Sequence, residues 1–140
     1  RFEYKGEFNG AKIYDDYGHH PTEVNAVAKS ILNKKYNKSW VIFEPHTYSR
    51  VKNHSKEFAE SLINFDNIII TDIYAAREKN EFGVSENDII LELNKLNKEA
   101  VHISEYKEIK KYLKDNVNKE DLILTLGAGD ITKLSNLLVE

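Results

Sequence analysis

The sequence contains no cysteine, which excludes a disulfide framework and any thiolate metal site. Its formal net charge is −3, so there is no broad basic footprint for nucleic acid. No apolar run approaches the length of a membrane span, and no signal-peptide pattern opens the chain. The phosphate-cradling loop G-x-x-x-x-G-K-[ST] is missing too, so this chain does not hold a nucleoside triphosphate in the P-loop manner. Internal repeats, low-complexity segments and linkers are also lacking. That predicts one domain, and 140 residues can bury a core without staples. The first residue is Arg1 rather than Met, which predicts an excised piece of a longer protein with further motifs upstream.

What is present is an alternation of short apolar runs and amphipathic stretches. Phe2 to Phe8 reads as a strand with Phe2, Tyr4 and Phe8 at alternating positions, Asn9-Gly10 as a two-residue turn, and Ala11 to Tyr14 as the returning strand. A helix is predicted from Thr22 to Tyr36, with Val24, Val27, Ala28, Ile31 and Leu32 on its apolar face. Trp40 to Phe43, Ile68 to Ile70 and Leu122 to Leu126 are continuous apolar runs, as expected of strands covered on both faces. Ala100 to Ile103 is a fourth short strand after the hairpin. Between these strands lie helices carrying Phe58, Ala59, Leu62 and Ile63; then Ile89, Ile90, Leu93 and Leu96; then Ile109, Tyr112 and Leu113; and a last helix runs through Val139. Strands alternating with helices after an initial hairpin predict an α/β fold, a mostly parallel, doubly wound sheet with an N-terminal β-hairpin.

In such a sheet, ligands bind outside the carboxyl ends of the strands. Four loops leave those ends, at Asp15, Glu44, Thr71 and Gly127. The first, Asp15-Asp16-Tyr17-Gly18-His19-His20-Pro21-Thr22-Glu23, crowds titratable groups into a strand-to-helix turn, with Thr22 the expected N-cap. A carboxylate such as Asp16 can accept both hydroxyls of a ribose. The Tyr17 ring can lie against a base, and the imidazoles of His19 and His20 can meet a phosphate. The plain alternative is a capping turn with solvated histidines. The second loop offers His46, Thr47, Tyr48, Ser49 and Arg50, with Arg50 suited to bidentate capture of a carboxylate or phosphate. Its plain alternative is a helix start capped by Ser49. His54 reads as a surface helix residue, and His102 as a strand residue with no constellation around it. Gly127-Ala128-Gly129-Asp130 allows a sharp turn with amides facing a possible anion, but it is only half of a dinucleotide fingerprint. These residues describe a nucleotide- or anion-facing edge and do not specify a reaction. A stand-alone nucleotide-binding module remains open, as does a metal-dependent hydrolase using Asp16, His20 and His46.

The motifs Asp15 to Glu23, Pro45-His46-Thr47-Tyr48-Ser49-Arg50, Tyr74-Ala75-Ala76 and Gly127-Ala128-Gly129, in that order, closely resemble the C-terminal domain of the Mur ligases. The resemblance spans the whole chain and is closest to the family's alanine-adding branch; a tripeptide-recycling branch is the alternative within it. It implies a Rossmann-like third domain of a cytoplasmic three-domain enzyme. The N-terminal domain would bind the UDP-sugar, and a central P-loop ATPase would hold most of the ATP and Mg²⁺. The implied reaction, in peptidoglycan synthesis, joins L-alanine to UDP-N-acetylmuramate through an acyl phosphate. The isolated domain is expected to fold without catalysing.

Carried over by that resemblance, Arg1 would reach the ATP phosphates from a hinge, Asp16 would hold the ribose, and Tyr17 would lie near the nucleoside. His19 and His20 would line the nucleotide and acyl-phosphate side. His46, Thr47 and Arg50 would face the incoming alanine, with Arg50 on its carboxylate. Some relatives carry a second arginine where this chain has Thr47, which places more of that recognition on Arg50. No resident metal of this domain is implied.

Overall fold

The computed structural model describes residues 2–139. In chain order the elements are β1 (Glu3–Phe8), β2 (Ala11–Asp16), α1 (Pro21–Ile31), β3 (Ser39–Phe43), α2 (Tyr48–Leu62), β4 (Asn67–Ile70), α3 (Asn87–Lys95), β5 (Val101–His102), α4 (Tyr106–Asn116), β6 (Leu122–Leu126) and α5 (Thr132–Leu138). They form one six-stranded sheet in the order β1-β2-β6-β3-β4-β5. The β1–β2 hairpin is antiparallel and every other pairing is parallel, which is the fold class the alternation predicts.

The continuous apolar runs are buried on both faces for the expected reason. Along β3 and β6, alternate side chains point to opposite layers. Val41, Phe43, Leu122, Leu124 and Leu126 face a core made with Val24, Ile31, Val51, Phe58, Leu62, Ile89 and Leu93 of α1, α2 and α3. Trp40, Ile42 and Ile123 face the other layer, with Ile109, Leu113, Leu134 and Leu138 of α4 and α5. Each fully buried Leu, Ile or Phe contributes about 1.5–3 kcal/mol, so both layers hold the sheet firmly.

Several local expectations are corrected. Phe8 does not share a face with Tyr4. A register shift between Tyr4 and Gly6 turns Phe8 into the α4/α5 layer, while Tyr4 packs edge-on against Tyr14, which belongs with the other layer. β2 runs on through Asp16 rather than stopping at Tyr14. α1 ends at Ile31, leaving Leu32 56% exposed, and Ile63 and Leu96 are likewise exposed at helix ends. In each case the residue is the C-cap, one position past the last helical residue. The strand expected over 100–103 is reduced to the pair Val101–His102 on the sheet edge.

Candidate functional site

The sheet order sets β2, β6, β3 and β4 side by side. Parallel register aligns Asp16, Leu126, Phe43 and Ile70 across them. The four loops singled out in the sequence therefore leave one edge as neighbours.

The first loop is built by capping. His20, not Thr22, is the N-cap of α1; Pro21 takes the first helical position and Glu23 the third. Proline suits that position because its missing N–H would have no helical partner there. The Glu23 carboxylate accepts the amides of His19 and His20 at 3.2 and 3.1 Å, and these bonds hold its pKa below the usual value. The His20 ring accepts from Thr22 N–H at 3.5 Å. Asp15 is buried and takes a hydrogen bond from the Thr125 hydroxyl. Asp16 is 4% exposed and accepts Gly18 N–H at 2.8 Å. Gly18 is packed so closely that a Cβ there would stand 3.1 Å from Leu126 and 3.3 Å from the Asp16 carboxylate. Tyr17 projects outward, 52% exposed.

The second loop leaves β3 through Glu44 and Pro45. Thr47 has φ +68°, in the left-handed region that a β-branched residue rarely adopts. Such strain costs of order 1–3 kcal/mol and persists only where the surroundings enforce it. Here they do. Thr47 N–H donates to Tyr74 O at 2.8 Å, Tyr74 N–H donates to Pro45 O at 2.8 Å, and the two strands of chain form a parallel bridge at His46 and Tyr74. Thr47, not Ser49, caps α2, accepting Arg50 N–H on its hydroxyl at 3.3 Å.

These caps bring the sequence-predicted residues together. The His19 and His46 rings lie 5.4 Å apart, and His46 stacks on Tyr74 at 5.2 Å. Arg50 Nη1 donates to the His46 carbonyl at 3.2 Å. The His19 Nδ1 contacts the Tyr17 carbonyl at 3.0 Å; a carbonyl only accepts, so in this contact that nitrogen is the donor. The His46 Nδ1 is buried without a hydrogen-bond partner among the described residues. Burial first, then the nearby His19 and Arg50, push the His46 pKa down, so at neutral pH the ring is an uncharged imidazole. His20 is turned to the other side, its ring 5.3 Å from His54. Helix α2 is kinked at His54, where φ is −133°, and His54 also binds Glu57 at 2.8 Å. Arg1 lies outside the described residues.

Two carboxylates at this edge were not singled out in the sequence. Glu44, 4% exposed, follows β3 and reaches with its carboxyl into the turn after β6. It accepts Ile131 N–H at 3.3 Å, and the Gly129 and Asp130 amides also bond to it. The group that the turn after Gly127 faces is therefore the chain's own carboxyl rather than an external anion. Glu78, on the loop after β4, binds Ser49 at the start of α2.

His102 does have a constellation. Its Nε2 lies 2.7 Å from Asp72 Oδ1, which also accepts the Ser104 hydroxyl at 2.7 Å, and 3.9 Å from Glu86 Oε1. Asp72, Glu86 and His102 offer ligand atoms within 4.8 Å of one another, and all three are already hydrogen-bonded, Glu86 to Ile73 N–H. Among the described residues, Asp16, His20 and His46 do not converge in this way. A cavity of about 440 Å³ lined by Lys12, Lys34, Lys35 and Lys119 lies at the opposite, amino end of β2 and β6; no candidate residue lines it. Among the described residues no helix is long and apolar enough to cross a membrane.

Fold and edge together define a doubly wound α/β domain that gathers His, Arg and Tyr side chains at the carboxyl ends of its parallel strands. The profile of the family described as "Mur ligase, glutamate ligase domain" matches residues 1–129, and the chain belongs to that family. It is 44% identical over its full 140 residues to the UDP-N-acetylmuramate–L-alanine ligase of Lachnospira eligens, and 44% identical to that of Caldicellulosiruptor bescii. It spans only 30% and 31% of those two proteins. Among solved structures, 93% of the chain superposes on the UDP-N-acetylmuramate-alanine ligase of Thermotoga maritima with TM-score 0.70 and 26% identity, covering 26% of that chain. A murein peptide ligase from Psychrobacter arcticus shares the fold at TM-score 0.78 and 19% identity, 97% of this chain matching 28% of that one.

Proposed function

We propose that this chain is the C-terminal domain of an ATP-dependent ligase that joins L-alanine to UDP-N-acetylmuramate through an acyl phosphate. The observation that carries the reading is the meeting of His19, His46 and Arg50 on one edge, in a chain 44% identical over its whole length to relatives bearing that name. Amide formation needs an activated acyl donor, here an anionic acyl phosphate from which phosphate leaves, and an amine held beside its carbonyl carbon. Arg50 supplies a fixed cation for a small carboxylate. The neutral His46 ring forms a wall with Tyr74 that repels neither the amine nor the anion. We assign His19, half-exposed beside His46, to the acyl-phosphate side; His20, turned toward His54, stands apart from this cluster.

ATP fits this edge in part. The exposed Tyr17 ring offers a face to a nucleoside, while Asp16 is buried and holds Gly18 N–H with one oxygen. The edge carboxylates Asp15, Glu23, Glu44 and Glu78 are each engaged by the chain's own donors. Mg²⁺ and the phosphates, which supply activation of the muramoyl carboxylate, are accordingly assigned to the parts of the ligase beyond this chain.

The test is phosphate release by the full ligase with ATP, Mg²⁺ and UDP-N-acetylmuramate, while L-alanine, glycine, L-serine or the peptidoglycan tripeptide is added. Release that depends on L-alanine and falls at least tenfold in Arg50→Ala supports the reading. Release only with the tripeptide moves the protein to the recycling branch. No amine-dependent release from a folded preparation refutes it.

A further inference from the structure

Glu78 sits on the segment between β4 and α3, 29 positions from the residue it binds. One carboxylate oxygen accepts Ser49 N–H at 2.9 Å, and the other accepts the Ser49 hydroxyl. Two bonds from one carboxylate to one residue fix both the position and the rotation of the turn that carries it. That turn is the first of α2, capped by Thr47, and Arg50 stands in it directly after Ser49. A carboxylate at a helix N-terminus is also favoured by the backbone dipole. The Ser49 hydroxyl, then its amide, keep the Glu78 pKa below its usual value, so it is ionised at neutral pH. Its charge reaches both Arg50 and His46. Beside it, the reciprocal bonds between Tyr74 and the 45–47 segment tie the same two loops together a second time.

We propose that Glu78 is a positioning residue for the amine-side subsite, holding Ser49 so that the first turn of α2 presents Arg50 to the amino-acid carboxylate. The proposal rests on the ligase reading above. A small displacement of a substrate-anchoring group is costly, and the Ser49 hydroxyl also lies 3.4 Å from that of Thr47, the cap of the same turn.

Steady-state kinetics of the full ligase with Glu78→Ala, Glu78→Gln and Ser49→Ala tests it. Glu78→Ala is expected to raise KM for L-alanine roughly tenfold, with KM for ATP and for UDP-N-acetylmuramate within about twofold of wild type. Glu78→Gln recovers most of the loss, because its amide can still accept Ser49 N–H and donate to the hydroxyl. Ser49→Ala, which keeps the amide bond, gives a smaller rise of about threefold. An unchanged KM for L-alanine overturns the proposal, and so does a uniform loss across all three substrates, since that is the mark of a merely structural residue. If Glu78→Ala does not fold, Glu78→Gln and Ser49→Ala decide by the same criterion. A wild-type ligase without L-alanine-dependent phosphate release fails the ligase reading itself and this inference with it; an active wild type with unaltered variants fails this inference alone.

Discussion

Replacing Glu44 by glutamine should stabilise this domain at alkaline pH and leave it nearly unchanged at acid pH. Burial, reinforced by the charge of Asp130 and only partly offset by the Ile131, Gly129 and Asp130 amides, raises the Glu44 pKa from 4.5 to about 7. Tyr106 hydrogen-bonds to the same carboxyl, and its own ionisation is driven up by burial. The unfolded chain releases the Glu44 proton near 4.5 and the folded chain near 7. Between those values the folded state binds more protons, so wild-type stability falls as pH climbs through the window and is flat above it. At about 1.4 kcal/mol per pH unit, the gap from 4.5 to about 7 amounts to roughly 3 kcal/mol. Glutamine has nearly the same shape, can still accept Ile131 N–H, and carries no proton to lose. Urea unfolding followed by circular dichroism should show Glu44→Gln more stable by about 2–3 kcal/mol at pH 8, with a Tm higher by roughly 8 °C, and within about 0.5 kcal/mol of wild type at pH 4.5. An equal difference at both pH values, or a loss at pH 8, would refute the assignment of a buried, protonated carboxyl to this turn.

Two further outcomes are expected. A Cβ at Gly129 would stand 2.5 Å from the Tyr74 ring and 2.7 Å from Glu44 Oε1, so Gly129→Ala should cost about 1–3 kcal/mol by overpacking; thermal unfolding indistinguishable from wild type would show that the turn is not so tightly filled. The His46 imidazole should titrate by NMR with a midpoint below 6.5, as burial demands. Its protonation then costs folding stability as pH drops below 6.5, with no contribution above, and a midpoint at or above 6.5 would contradict the buried placement.

The architecture was legible because the strands that build it are apolar without alternation. β3 and β6 could satisfy such runs only with helices on both faces, and that topology lines up the loops at Asp15, Glu44, Thr71 and Gly127. Local detail was less legible where one residue governs many. The shift at Gly6 reverses the face of Phe8, and nothing in the alternation marks it. The N-cap at His20 was within reach: Pro21 at a first helical position places the cap one residue earlier, and Glu23 then falls at the third position of a capping box. Glu44 and Glu78 were beyond reach, because their partners Ile131 and Ser49 stand 87 and 29 positions away. His102 was missed for the same reason, its partner Asp72 being 30 positions distant.

Those distant carboxylates explain how the edge can discriminate. A helix N-terminus is a ready anion site, and three strand-to-helix turns meet here. Each is already filled from within: α1 by Glu23, the first turn of α2 by Glu78, and the turn into α5 by Glu44. An external phosphate or carboxylate must displace one of these bonds or be recognised by side chains. Displacement exposes an ion or breaks a buried hydrogen bond, each costing about 1–3 kcal/mol or more. Side-chain recognition costs neither, and Arg50 and His19 remain able to provide it. Backbone amides would accept any small anion; a guanidinium held between a capped turn and the His46 carbonyl selects by shape as well as charge. The internal carboxylates thus move anion recognition from the general to the specific, and on the ligase function proposed above the geometry of the Arg50 turn, rather than the helix dipoles, is what would set the choice of amino acid.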